Sequence, residues 1–153
     1  MVNDLEIKRK LFQFCNHFID ARLQTIQKQI EEIQFSLLSE TKSSAGDKHE
    51  TGRAMLQLER EKAGNQLSEI VKVKEALYKI NTENRSQTIG LGSVVYTTQN
   101  NYYVAISSGE LVFEGDKFYA ISPNTPIGQL LIGKIVGDEV VFKDKKFKIL
   151  NLL

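Results

Sequence analysis

The sequence has a single cysteine, Cys15, among 153 residues, and this scarcity excludes several kinds of protein. One thiol cannot close an internal disulfide, so a fold held together by disulfide bridges is excluded. One cysteine and two histidines, His17 and His49, fall short of the four ligands of a structural zinc site. No motif links either histidine to Cys15, so we interpret this cysteine as a small apolar side chain on a helix rather than a nucleophile.

The chain also lacks an excess of charge of one sign and a long apolar run. Lys and Arg number 20 against 19 Asp and Glu, which gives a formal net charge of +1. A near-neutral chain lacks the basic surface that a phosphate backbone selects, so independent DNA binding is not expected. No stretch reaches the roughly 20 apolar residues of a membrane helix, and the charged beginning is unlike a signal peptide. We therefore expect a cytoplasmic protein without membrane association.

Proline and glycine are scarce in the first half of the chain and concentrated in the second. Residues 1–80 hold no proline and three of the ten glycines, but they carry 25 of the 39 charged residues. Such a change in composition indicates a domain boundary, and the polar, aperiodic segment 81–88 is typical of a linker. The sequence thus predicts a first domain over 1–80 and a second over 89–153.

Apolar residues at heptad spacing predict two long helices in the first domain. The stronger seam predicts a helix from about residue 4 to about residue 41. The second helix is predicted from about residue 49 to about residue 80, with a weaker seam because Arg60 and Lys74 occupy positions that usually carry apolar side chains. The first seam comprises Ile19, Leu23, Ile26, Ile30, Ile33 and Leu37, and the second comprises Leu56, Ala63, Leu67, Ile70 and Leu77.

A short polar segment, 41–46, separates the two predicted helices. Helices joined by so short a connection lie antiparallel, because each then buries its apolar stripe against the other. We therefore predict an antiparallel two-helix coiled coil with its tip near residues 42–50. The alternative is that the two helices form half of a four-helix bundle by dimerisation; we expect the monomer.

The second domain changes to the period of two that is typical of strands. Thr125 suits the cap of a short helix, Pro126 its first position and Gly133 its end. The sequence therefore predicts an α+β protein, in which the coiled coil is followed by a small antiparallel sheet domain with one short helix. The predicted hairpins pair 93–98 with 102–107, 111–113 with 117–121, and 140–142 with 147–150.

The second domain also contains a run of residues that resembles a known family. Residues 121–134 read ISPNTPIGQLLIGK, and Gly137-Asp138-Glu139-Val140 follows. This run resembles the signature of the Gre-type transcript cleavage factors of bacterial RNA polymerase, and residues 90–95 resemble the first strand of that family's sheet domain. The resemblance implies an FKBP-like domain that binds RNA polymerase beside its secondary channel.

At the predicted tip, Gly46-Asp47-Lys48-His49-Glu50 is similar to the G-D-x-x-E motif of the same family. The resemblance implies that Asp47 and Glu50 reach the polymerase active centre and help hold its second catalytic Mg²⁺. There they would position the water that cleaves the 3′ end of backtracked nascent RNA. The chain would then be an elongation factor that stimulates the polymerase's own activity, not an enzyme by itself, and it would reach RNA only within the complex.

Elementary chemistry is compatible with this role for the two carboxylates. Asp47 and Glu50 are three residues apart, so on a helix they share one face. Mg²⁺ is usually held by one or two protein carboxylates together with water and phosphate. The alternative is a capping box, with Asp47 as N-cap and Glu50 as its partner, which stabilises the second helix and nothing more.

The residues around the two acids leave other functions open. The sequence departs from the family pattern at Lys48 for Leu, Thr51 for Asn, Gly52 for Ala, Arg53 for Glu and Ala54 for Tyr. A regulator that occupies the secondary channel without stimulating cleavage is therefore a second hypothesis, and roles for Glu40 and His49 stay open. A third hypothesis is a prolyl isomerase, but fold does not carry function. The Tyr and Phe residues of the sheet are expected in its core.

Overall fold

The computed structural model describes the backbone of residues 3–42 and 46–153 and the side chains of 3–39 and 50–153. Two long helices come first, and six strands with one short helix follow. The elements are α1 (Asp4–Lys42), α2 (Gly46–Tyr78), β1 (Val94–Thr97), β2 (Asn101–Val104), β3 (Gly109–Phe113), β4 (Asp116–Ile121), α3 (Pro126–Leu131), β5 (Glu139–Phe142) and β6 (Lys145–Leu152). This order confirms the predicted fold class, a helical coiled coil followed by a small sheet domain.

The predicted heptad seams are buried in part, since Leu23, Leu37, Leu56 and Leu67 are half-buried and the other seam residues are buried. On α1, the isoleucines of the seam are nearly inaccessible to solvent. On α2, the seam residues Ala63 and Ile70 are buried. Arg60 is only half-buried at its seam position, which agrees with the weaker pattern of α2. The buried seam residues of α1 are Ile19, Ile26, Ile30 and Ile33.

The start of α2 differs from its predicted position. The polar segment 41–46 was expected to interrupt both helices, but α1 continues to Lys42 and α2 begins at Gly46, three residues before the predicted start. Polar residues without proline do not prevent helix formation, because only proline both removes a backbone donor and clashes with the preceding turn. The connection itself, 43–45, lies outside the described residues.

The chain divides into two compact units. One unit is helical and comprises Ile19–Val73, and the other comprises Met1–Phe18 together with Lys74–Leu153. The second unit therefore contains the beginning of α1 and the end of α2 as well as the whole sheet. The predicted linker, 81–88, contains neither helix nor strand. The domain boundaries stay a prediction.

The six strands form one sheet in the order β3-β4-β2-β1-β6-β5. All three predicted hairpins are confirmed: β1 with β2, β3 with β4, and β5 with β6 are antiparallel. The sheet is nevertheless mixed, and the prediction of a wholly antiparallel sheet is wrong at one place, because β2 and β4 pair in parallel. Hairpin signals specify only strands that are neighbours in sequence. They carry no information on how one hairpin docks beside another.

The core of the sheet domain lies beneath α3. Ile127 and Leu131 of this helix are buried against strand residues, which include Val95, Val104 and Ile149. The predicted cap of α3 is confirmed, since the Thr125 hydroxyl oxygen accepts a hydrogen bond from the Gly128 N–H at 3.1 Å. The cap thus closes the first turn of α3, and the buried apolar side chains hold the helix against the sheet.

Candidate functional site

The predicted tip lies at the amino terminus of α2. Because α2 begins at Gly46, Asp47 lies in its first turn and Glu50 follows three residues later. Glu50 is exposed. The side chain of Asp47 lies outside the described residues, as do those of Glu40, Lys48 and His49. The helix amino terminus favours negative charge at both carboxylate positions.

The start of α2 is also relevant to the alternative in which Asp47 and Glu50 form a capping box. An N-cap residue precedes the first helical residue and has non-helical dihedral angles. The helix starts at Gly46 with Asp47 in its first turn, and because helix bounds differ by one or two residues between definitions, the capping box stays an alternative prediction. Positions 47 and 50 lie on one side of the same helix, as their spacing predicts.

Arg53, near the start of α2, makes a hydrogen bond to the neighbouring helix. Its guanidinium Nη1 donates a hydrogen bond to the backbone carbonyl oxygen of Leu37 on α1, at 3.3 Å, and its side chain is half-buried. This contact joins the two helices near their connected ends. The sequence allowed Arg53 to pair with the tip acids or to attract RNA phosphates, and this stays a prediction beside the hydrogen bond to the backbone carbonyl of the neighbouring helix.

The signature run of the second domain builds a tight loop before α3. The Thr125 hydroxyl donates to the carbonyl oxygen of Ser122 at 2.7 Å and accepts from Gly128. A Cβ atom at Gly128 would lie 2.3 Å from that same Ser122 oxygen. After the helix, the Asp138 carboxylate accepts from the Ile135 N–H at 2.9 Å and closes the next turn. Much of the signature is thus explained by loop geometry.

Four apolar side chains of this region are exposed, and sequence reasoning did not single them out. Two lie at the end of α3 and two in the turn that follows it. The signal for them was present in the sequence, as apolar residues for which neither the helix nor the strand pattern provides a buried position. They are Leu130, Ile132, Ile135 and Val136, which we call the α3 patch.

Cys15 is buried as an apolar core residue, as predicted. Its Sγ lies 3.5 Å from the Ser108 hydroxyl oxygen. Burial raises the pKa of the Cys15 thiol, and the hydrogen bond from Ser108 offsets this only in part. The group is therefore a thiol at neutral pH and is shielded from reagents.

We expect Cys15 to react with a disulfide reagent at least about 100-fold more slowly in the native protein than in urea, because reaction requires opening of the core. Release of the chromophore during the reaction gives both rates. As control, Ser68→Cys in a Cys15→Ala background places a thiol at an exposed helix position and should react rapidly without denaturant. Equal rates for native and unfolded protein would contradict the buried position.

The aromatic rings of the sheet domain are used for packing. Tyr102 contacts Tyr119 and Phe147, with ring centroids 6.4 and 6.3 Å apart. Tyr102 and Phe147 are buried members of the core. An isomerase of the FKBP type needs an aromatic-lined open pocket, and rings that fill a core do not provide one. These contacts agree with the interpretation of the rings as core residues.

The described residues, 3–42 and 46–153, contain neither a membrane-spanning helix nor a cluster of metal-ligating side chains. No helix there has the length and apolar character needed to cross a bilayer. In the same part of the chain, no three metal-ligating side chains lie close enough together to hold an ion. The side chain of Asp47 lies outside the described residues, so the predicted metal site at the tip stays a prediction.

No protein-family model matches the sequence, and no curated protein is significantly similar to it. Among solved structures, the chain is similar to GreA factor homolog 1 (Gfh1) of Thermus thermophilus, with 19% sequence identity, 88% of this chain and 92% of that chain covered, and a TM-score of 0.36. Gfh1 of Thermus aquaticus is similar at 22% identity, with 88% and 90% covered and a TM-score of 0.33. A function for this chain has to be argued from its own residues.

Proposed function

We propose that this protein is an accessory factor of RNA polymerase that stimulates cleavage of backtracked nascent RNA. The observation that carries the proposal is the placement of Asp47 and Glu50 in the first turns of α2, beside the connection between two long antiparallel helices. At 1.5 Å per residue, the 33 residues of α2 extend about 50 Å. A two-helix coil of that length is suited to carrying a short reactive segment into a narrow channel.

The donor set fits Mg²⁺. Two carboxylates three residues apart offer the hard oxygen ligands that this ion takes, in the number that proteins usually supply to it. In phosphodiester hydrolysis, a second metal ion stabilises the attacking and leaving oxygens. The role of this chain would be to present Asp47 and Glu50 to the polymerase's ion and to orient a water molecule by hydrogen bonding. It would have no turnover alone.

A direct test uses stalled, backtracked elongation complexes of the cognate polymerase. If the proposal holds, adding the protein with Mg²⁺ releases short 3′ RNA fragments faster than the polymerase alone releases them. Protein incubated with the same RNA without polymerase should release none. Absence of stimulation at saturating protein would exclude the cleavage function.

A second candidate is a secondary-channel regulator without cleavage activity. Arg53 favours it, because its guanidinium bonds to the Leu37 carbonyl oxygen at a position where the resembled family has an acid. Binding to polymerase with inhibited nucleotide addition and no fragment release would support this candidate over the first.

We also propose that the α3 patch is the surface that contacts the polymerase. Ile135→Asp should weaken binding about tenfold or more, because a charge in a desolvated apolar contact costs more than the apolar contact contributed. Competition binding to the polymerase measures this directly. Val112→Asp, at an exposed position on β3 at the opposite edge of the sheet from β5, is the matched control and should bind normally. Normal binding by Ile135→Asp would place the contact elsewhere.

The cellular location and the oligomeric state of the protein also follow from this function. We propose a cytoplasmic monomer that does not bind DNA independently, since the chain carries no excess of positive charge to attract a phosphate backbone. Sedimentation of the purified protein at micromolar concentration tests the monomer against the four-helix dimer.

A further inference from the structure

Residues 81–85, which we call the strap, lie against the first turns of α1. Three cationic side chains connect the two segments. The Lys8 ammonium donates to the Asn84 carbonyl oxygen at 2.6 Å, and the Arg9 guanidinium pairs with Glu83 at 2.9 Å. Arg85, at the end of the strap, pairs with Asp4. Both segments belong to the same compact unit. Residues 83–85 of the segment that composition predicts to be a linker are therefore held against α1.

Lys8 differs from the two arginines because it is buried. Its side chain is 5% exposed, whereas the two ion pairs are largely open to solvent. Removing an ammonium from water is costly unless a strong acceptor replaces the water. The Asn84 carbonyl is the acceptor that the structure provides. Burial also lowers the pKa of Lys8, as expected for a cation with little access to water.

The strap has no apolar anchor of its own. Between the buried side chains of Ile80 and Ile89, each residue is exposed or only partly covered. Its internal hydrogen bonds are short-range: the Asn84 N–H donates to the Asn81 carbonyl oxygen at 3.2 Å, and the Glu83 N–H to the Asn81 side chain at 3.0 Å. A segment of this kind can open without exposing core, so its stability depends on the polar contacts to α1.

We propose that the strap is a latch that Lys8 closes and that opens locally while the sheet domain stays folded. Opening requires the Lys8 ammonium to leave the Asn84 carbonyl and the two ion pairs to separate. Exposed ion pairs contribute little individually and are screened by salt. The hydrogen bond between Lys8 and the Asn84 carbonyl is buried and is screened much less. Lys8 therefore keeps the strap against α1 at salt concentrations that weaken the two arginine ion pairs.

Hydrogen exchange measured by mass spectrometry on the full chain tests this latch. In the wild type, peptides covering 81–88 should exchange well below the intrinsic rate of an open chain. Lys8→Met keeps the apolar stem and removes the ammonium. It should accelerate exchange of these peptides about tenfold or more, the effect of losing one hydrogen bond to a charged group. Peptides covering β1 and β2 should be unchanged.

Matched variants separate the latch from general loosening. Lys79→Met removes an exposed lysine just before the strap and should leave exchange of 81–88 unchanged. The double change Arg9→Gln with Arg85→Gln should produce a smaller acceleration, which molar salt reproduces in the wild type. Intrinsic-rate exchange of the strap in the wild type would overturn the proposal. So would unchanged exchange in Lys8→Met, or equal acceleration of the strap and the sheet.

Discussion

Asp47→Asn is expected to reduce stimulated transcript cleavage at least about 100-fold while polymerase binding persists. The asparagine keeps the size of the side chain but removes the charge that a divalent cation selects. Loss of one anionic ligand to a catalytic ion weakens transition-state stabilisation by several kcal/mol, and each 1.36 kcal/mol is about tenfold in rate. Fragment release from backtracked complexes at saturating protein gives the rate, and competition binding gives the affinity.

The control for this experiment is a neutralised acid on the same helix away from its first turns. Glu59→Gln removes one exposed negative charge from α2 and should leave both cleavage and binding unchanged. Glu50→Gln should resemble Asp47→Asn. If Asp47→Asn cleaves as fast as the wild type, the tip acids have no role in the reaction. If neither the wild type nor the variant cleaves, the regulator function is favoured.

The helices were predictable because the residues that are buried between them recur at regular spacing along the sequence. An apolar residue every three to four positions predicts one buried stripe, and Ile26, Ile30 and Ile33 are buried as that stripe requires. The end of α1 and the start of α2 were less predictable. Polar residues such as those of segment 41–46 are compatible with both a helix and a turn, so the pattern could not fix the boundary within a few residues.

The sheet shows where sequence patterns stop being informative. Turn residues predicted all three hairpins, but the parallel pairing of β2 with β4 depends on how two hairpins pack together. Sheet topology of this kind is determined by tertiary burial. The same applies to the contact between Lys8 and Asn84, 76 residues apart, because no local pattern relates a helical lysine to a distant carbonyl group.

Some features of the candidate sites could be proposed from the sequence, and others are known only from the folded structure. The acids at 47 and 50 could be proposed from a short motif and a resemblance, because both residue types and their spacing are visible in the sequence. The apolar residues of the α3 patch were visible in the sequence as positions that fit neither pattern, but the exposure of Ile135 and Val136 is known only once the sheet has formed. The hydrogen bond from Arg53 to a backbone carbonyl oxygen on the neighbouring helix could not be predicted either, because no local pattern specifies such an acceptor.

Gly128→Ala is expected to destabilise the sheet domain by about 3 kcal/mol. The added methyl group would lie 2.3 Å from the Ser122 carbonyl oxygen and 2.9 Å from the Thr125 hydroxyl oxygen. The first of these is backbone and cannot rotate away, so the loop before α3 has to move. Overpacking of this kind costs roughly 1–3 kcal/mol, and loss of the Thr125 cap adds about 1 kcal/mol.

Gly90→Ala provides the matched control, because a Cβ atom there has no neighbour within 4 Å. It should change stability by no more than about 0.5 kcal/mol. The chain has no tryptophan, so urea unfolding can be followed through tyrosine fluorescence, to which the buried Tyr102 and Tyr103 contribute. Equal stability of the two variants would mean that the signature glycine is not needed for the loop, and its place in the motif would then have to be explained by contact with a partner.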